Sequence, residues 1–501
     1  LSDIKDNLQG GSIFPMFRFT KAPTYLLLSA LLSSSLPATA SDANRLPEMG
    51  TTAASTLTID KELEYGDAYM RILSASQPVI NDPLLSDYVQ SLGHKLVASA
   101  DDVRTPFHFF LIQNPEINAF AFFGGYVAIH SGLFLHAKTE SELASVMAHE
   151  IAHVTQRHLA RKMEADAKKT PLSTAALIGS LLLTIAAPEA GIAALHATTA
   201  ANIQGHINFT RSNEKEADRI GIKTLAKAGF DAHAMPRFFG RLADQYRYTS
   251  KLPAMLLTHP LPESRVTDSR MRARNYPTVI LPPSERYLLA RSRIVARNAN
   301  FSEASSLNWL NRELKKTAPN RRKELNYGKA LVYLDNGKYT QAHQLLDPLL
   351  ASEPNNLFFI DAATDLDLYQ KQYDRAISRL TTALKGNPNS NVLRLNLANA
   401  YLESGKYQQS IQILNRYTYD HPKDTNGWTL LAKNYAKLGN RSGELAALGE
   451  LLALRAQWDK AINNYTQAAQ IAKLGSMDQA RYDARIDQLR FERQRFKALQ
   501  K

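Results

Sequence analysis

Apolar positions recur at helical spacing from about Glu62 to Leu73 and from Leu84 to Ala100, the second run opened by the start signal Asn81-Asp82-Pro83. The pattern then changes to PFHFFLIQNPEINAFAFFGGYVAIHSGLF, aromatic and β-branched runs cut by Asn114-Pro115 and Gly124-Gly125, which predicts short strands joined by turns. Thr139 and Glu142 form a T-x-x-E capping box for a helix expected to reach Met163 or beyond. A further helix is expected to start near Thr210–Ser212 and to stop at Gly229. Between them, residues 171–200 are almost uncharged, but Pro188 and Glu189 leave neither half long enough to span a bilayer. Two short buried helices or an apolar lid over a site are expected there, with peripheral membrane contact as the alternative.

From about residue 285 the strand signals stop and a period of 34 appears. With Lys323, Leu357 and Asn391 as first positions, Tyr339, Tyr373 and Tyr407 align. So do Ala342, Ala376 and Ser410, then Leu346, Leu380 and Leu414, then Pro354, Pro388 and Pro422. A fourth unit from Thr425 keeps Ala432, Tyr435 and Gly439, and a half-step register restores Trp458, Ala461, Tyr465 and Ala468. Phe301 and Ala304 mark a degenerate first unit. Small residues at fixed columns with a helix-ending proline resemble the tetratricopeptide repeat, whose stacked helix pairs form a superhelix with a concave binding surface.

Composition narrows the chemistry. The 501 residues include no cysteine, which excludes disulfides, thiolate metal sites and cysteine nucleophiles, so any metal must be held by His and carboxylates. The net charge of +13 sits almost wholly in residues 285–501, which carry +12. That stretch is read either as a solvated face ending in an exposed basic helix, RYDARIDQLRFERQRFK, or as a docking surface for an acidic partner. From Met16 the chain reads MFRFTKAPTYLLLSALLSSSLPATA: a basic start, a short apolar stretch and the A-x-A site Ala38-Thr39-Ala40. This predicts a secretory signal cleaved after Ala40 and an exported product, which together with the lack of a recognised motif argues against nucleic acid. The expected division is upstream residues and signal in 1–40, a catalytic domain in 41–280 and repeats in 285–501.

His149-Glu150-Ile151-Ala152-His153 is an H-E-x-x-H motif inside the helix capped at Thr139. Spacing of four points both imidazoles from one helix face, where they can share a zinc ion, while Glu150 can serve as general base. The third ligand must be a His, Asp or Glu, and its natural place is another helix facing the first. Glu214 and Asp218 stand one turn apart, so one carboxylate can bind zinc while the other hydrogen-bonds the distal nitrogen of a ligand histidine. Glu216 is expected to point elsewhere into solvent. Arg265 is read first as a surface salt bridge, with a brace on a carboxylate or a substrate carbonyl as the other option. His130, His136, His158, His196 and His206 match no ligand spacing and are read as structural.

H-E-I-A-H, the later N-E-K-E-A-D, the upstream N-A-F-A-F-F-G-G-Y and the downstream T-H-P-L-P-E-S-R together resemble the HtpX-like gluzincin metalloproteases over about residues 60–275. The resemblance implies an α+β zincin-type domain, helices with a small sheet, followed here by an all-α tetratricopeptide superhelix. It implies one Zn²⁺ per chain, with His149, His153 and Glu214 as ligands and Glu150 as catalytic base. Asn118–Tyr126, with Asn118, Ala119, Phe120, Gly124 and Gly125, becomes the edge strand of the substrate cleft, although Phe123 stands where members often carry Pro. With signal and repeats, the whole chain is similar to exported members that act in quality control and assembly of outer-membrane β-barrel proteins. Barrel precursors, their assembly machinery and a periplasmic location follow from that resemblance.

His259, in Thr258-His259-Pro260, has three roles open to it: oxyanion stabiliser, fourth zinc ligand in place of water, or structural loop residue. Two functional readings follow. One is a zinc endopeptidase guided to its clients by the repeats; the other is a repeat scaffold or chaperone whose protease domain is usually silent.

Overall fold

The structure is a computed structural model that describes residues 57–167, 200–247, 252–318 and 322–499. The expected signal, the lead-in up to residue 56 and the apolar segment before residue 200, with His196, lie outside these residues, as does the side chain of His206. The described residues form one compact unit.

Helix α1 (Ile59–Ser76) is capped by Thr58, and α2 (Pro83–Val97) by Asp82, whose Oδ1 accepts from the Leu84 and Leu85 amides at 3.0 and 3.1 Å. Strands β1 (His108–Ile112), β2 (Ala119–Phe122) and β3 (Tyr126–His130) make a sheet of order β1-β3-β2. β3 is central, parallel to β1 and antiparallel to β2, with Ala128 facing both Phe110 and Phe120. The turn from β2 to β3 runs through Gly124 and Gly125, at φ 76° and 75°.

After the short α3 (Ser131–His136), Thr139 Oγ1 accepts from the Glu142 amide and Glu142 Oε2 accepts from the Lys138 amide, which starts α4 (Glu140–Thr155). The expected continuous helix to Met163 is corrected: α4 stops at Thr155, and α5 (His158–Ala167) begins after Arg157, which sits at φ 52°. That turn is held from outside, because the Arg157 guanidinium donates to Glu62 Oε1 at 2.8 Å and to the Leu57 carbonyl at 2.5 Å. The next helix, α6 (Ala200–Lys227), also departs from expectation, since the Thr210–Ser212 start signal lies inside it. Its end agrees, with Gly229 at φ 79°. α6 packs on α4 through Gly221, where a Cβ would lie 3.2 Å from the His149 amide nitrogen. Helices α7 (Ala234–Tyr246), α8 (Ala254–Thr258) and α9 (Glu263–Ala273) complete this part.

The repeats follow the 34-residue register. Helices begin at Lys323, Leu357 and Asn391, and their partners begin at Tyr339, Tyr373 and Tyr407. Ala342, Ala376, Ser410, Leu346, Leu380 and Leu414 are completely buried, as small and leucine columns between close-packed helices must be. Helices Glu285–Arg297 and Glu303–Lys316 precede the array, and Thr425–Lys437, Arg441–Ala453 and Trp458–Ile471 continue it. The final helix, Met477–Ala498, is not wholly solvated: Tyr482, Ile486 and Leu489 are buried against Trp458, Tyr465 and Ala468. Among the described residues no helix is long and apolar enough to cross a membrane.

Candidate metal centre

α4 and α6 lie face to face, which brings their polar side chains together inside an otherwise apolar core. His149 Nε2 and His153 Nε2, one turn apart on α4, are separated by 3.1 Å. From α6, Glu214 reaches both: Oε2 lies 3.2 Å from His149 Nε2 and Oε1 3.4 Å from His153 Nε2. His259, the residue that closes α8, adds a third imidazole, its Nδ1 3.0 Å from Glu214 Oε1 and 3.4 Å from His149 Nε2. One donor atom from each of the four residues falls within 4.8 Å of every other.

These spacings suit one small cation. Tetrahedral zinc with bonds of about 2.0–2.1 Å sets its donors roughly 3.3 Å apart, against the 3.0–3.4 Å found between these atoms. Imidazoles with one carboxylate are an N/O set of the borderline kind zinc accepts, and the chain has no thiolate to compete. Glu150, beside the first histidine and almost fully buried, leaves Oε1 without a hydrogen-bond partner in the chain, 3.5 Å from His259 Nε2. An unmatched buried carboxylate oxygen facing the donors fits a site built for a metal and a water.

Charge is managed by the surrounding groups. Burial opposes ionisation of Glu214, but His259 and Arg265 outweigh it and hold its carboxyl well below the usual range. Burial likewise opposes a charged His149, yet Asp218 and Glu214 lift its pKa to about 10. Burial alone dominates at His153, pushing it well below the ordinary histidine value, and burial pushes the Glu150 carboxyl up. The backbone at Ala121 in β2 partly offsets that rise.

Asp218 Oδ1 lies 3.0 Å from His149 Nδ1, close but too oblique for an aligned hydrogen bond. Arg265 corrects the first expectation for it. It is buried, not on the surface, and clamps both Asp218 oxygens at 2.7 and 2.8 Å while reaching Glu214 Oε2 and the Pro260 carbonyl at 2.8 Å. Glu216, expected in solvent, accepts from His158 and Arg161 at 3.2 and 2.8 Å. His158, expected to be structural, puts Nδ1 2.9 Å from His153 Nδ1. No signal in the linear pattern marks His158, because residues five apart do not share a helix face unless the helix breaks between them. His130 is buried in the sheet, and burial pushes its pKa down to about 4; His136 lies at the end of α3. Of the segment Asn118–Tyr126 read as one edge strand, only Ala119–Phe122 forms the edge strand β2; Phe123–Gly125 is the turn and Tyr126 opens the central strand β3, and Asn118, Ala119 and Phe120 are all buried. Gly124 and Gly125 lie in the turn, with Gly124 packed against α1.

Residues 83–273 match Peptidase family M48, and residues 367–433 match the tetratricopeptide repeat. Fold and site thus define a metallopeptidase joined to a repeat array. The beta-barrel assembly-enhancing protease of Escherichia coli (strain K12) is 50% identical over 94% of this chain and 96% of its own length. A Vibrio cholerae serotype O1 relative is 60% identical over 95% of this chain and 99% of its own length. More distantly, a Schizosaccharomyces pombe mitochondrial metalloendopeptidase, OMA1, is 29% identical over 40% of this chain and 55% of its own. The chain belongs to the family of beta-barrel assembly-enhancing proteases and is a metalloendopeptidase.

Proposed function

We propose that the protein is a latent zinc endopeptidase of the bacterial periplasm that acts in the assembly and quality control of outer-membrane β-barrel proteins. The observation that carries latency is His259 Nδ1, at donor spacing from Glu214 and His149. In this reading His149, His153 and Glu214 would hold the metal, and His259 would block the open side of the site until a substrate or partner draws its loop away. When bound, zinc supplies Lewis acidity, acidifying a water and polarising a peptide carbonyl.

The rest falls to the chain's own groups. Glu150 accepts the attacking water's proton at its unpartnered Oε1 and returns it to the leaving nitrogen. Arg265 fixes Asp218, which keeps the His149 ring turned toward the site. An extended peptide pairs with the β2 edge at Asn118, Ala119 and Phe120, gaining backbone affinity with little side-chain choice. Its burial supports a closed resting state. Selection then belongs to residues 285–501, whose +12 charge suits docking on an acidic client or assembly partner and raises the local concentration of substrate. The naming of the relatives as barrel assembly-enhancing proteases supports barrel precursors and their assembly machinery as partners. The reading of residues 16–40 as a signal cleaved after Ala40 supports export.

His259 also favours the second reading, a repeat scaffold whose protease is usually silent. Two variants separate them. Glu150→Gln is expected to lower cleavage of an unfolded protein substrate by roughly 10²–10⁴-fold with zinc content unchanged. His259→Ala is expected to raise cleavage several-fold; a fall would make His259 an assisting group instead of a plug. If the Glu150→Gln chain supports envelope integrity and binds clients as the unaltered chain does, the scaffold reading stands.

A further inference from the structure

His153 is held by a second imidazole. Its Nε2 faces Glu214 and His149, while its Nδ1 lies 2.9 Å from Nδ1 of His158. Two ring nitrogens at that distance share one proton: one donates and the other accepts. If Nε2 of His153 offers its lone pair to a metal, the proton of the neutral ring sits on Nδ1 and is donated to His158. His158 then accepts at Nδ1 and carries its own proton on Nε2, 3.2 Å from Glu216 Oε2. Arg161 Nη1 donates to that same oxygen at 2.8 Å, so the chain of donors ends on a neutralised carboxylate.

Only the break after Thr155 makes this possible. In a continuous helix His158 would point about 140° around the axis from His153. The positive φ at Arg157 resets the backbone, and His158 is buried beside the site.

We propose that His158 is a positioning residue. Through the order Arg161, Glu216, His158, it locks His153 in the Nδ1–H tautomer and leaves Nε2 free for the metal, a counterpart of Arg265 and Asp218 behind His149. The inference rests on His153 being a metal ligand, as set out under the proposed function.

Zinc affinity of the full chain, measured by competition with a chromophoric chelator after removal and return of the metal, tests it without reference to catalysis. His158→Phe keeps a ring but no acceptor and is expected to weaken zinc binding about 10–100-fold. In His158→Gln the amide oxygen can accept from Nδ1–H, so affinity is expected within roughly threefold of the unaltered chain. Unchanged affinity in a folded His158→Phe chain overturns the proposal, as does an equal loss in both variants, which would mark a packing role. Where His158→Phe does not fold, Glu216→Ala takes its place, with a loss of roughly threefold or more expected and no loss overturning the relay. Failure of the unaltered chain to bind zinc overturns the metal reading itself, and this inference with it.

Discussion

Where the first repeat helices leave the protease fold, the junction is apolar and deeply buried. Tyr287, Leu289, Ala290 and Ile294 share one core with Leu85, Leu133 and Met147, and that core continues to Phe359 and Val392. Polar pairs cross it: Tyr287 donates to the Ala137 carbonyl at 2.6 Å, and Arg293 joins Asp82, the cap of α2, to Asp361 of the repeats at 2.5 and 2.7 Å. The far end of the array meets α1 mainly through charge. Lys423 reaches Asp67 at 2.7 Å, Arg71 donates to the Ala453 carbonyl at 2.8 Å and lies over Trp458, and Arg495 pairs with Glu64. Lys423 and Arg495 are more than half exposed, which marks a surface contact. One end is fused mainly by apolar packing, with an exposed Arg286–Asp87 pair at its rim, and the other is clasped mainly by charge, so the clasp is the end more open to salt and to a competing charged partner.

Removing Arg293 should do the most damage to this arrangement. Arg293→Ala strands the buried Asp361 carboxylate and loosens the α2 cap, so a loss of about 3–5 kcal/mol in denaturant unfolding is expected. A loss below 1 kcal/mol would show that the fused end does not depend on the pair.

Gly66→Ala probes the step between clasp and sheet. A Cβ there would lie 2.2 Å from the Phe123 carbonyl oxygen, so α1 has to lift from the β2–β3 turn. Overpacking of this kind costs roughly 1–3 kcal/mol, and faster hydrogen exchange in α1 than in the repeats is the expected accompaniment.

The smallest effect belongs to the clasp itself. Lys423→Ala should cost less than about 1 kcal/mol, and raising the salt on the unaltered chain should mimic it. Hydrogen exchange at α1 then rises while protection around Tyr327 holds; equal loss at both ends would erase the contrast. Acid acts in the same direction. Burial opposes ionisation of Asp67, but Arg71 and Lys423 hold its pKa below the ordinary 3.8. A carboxyl depressed on folding contributes above its unfolded value, and that contribution goes as the pH falls through the folded one, so the clasp should open below about pH 4.

Patterns that repeat along the chain could be read from the sequence alone. The 34-residue period placed helix starts at Lys323, Leu357 and Asn391, because each repeat packs mainly on its neighbours and carries its instructions locally. The pairing of His149 with His153 was legible for a related reason, since a four-residue spacing on a capped helix fixes which side chains share a face. On the residues alone the third donor stayed open between Glu214 and Asp218, and the family resemblance chose Glu214. Tertiary structure decided what no spacing encodes. The break at Arg157 depends on Glu62, almost a hundred residues earlier, and without it His158 would not meet His153. Arg265 became a buried clamp on Asp218 and Glu214 because packing of α4, α6 and the start of α9 removed water from all three, and the half-buried Glu216 became an anchor for the buried His158. Periodicity describes a helix in isolation; burial, and the partners that burial demands, exist only once the helices meet.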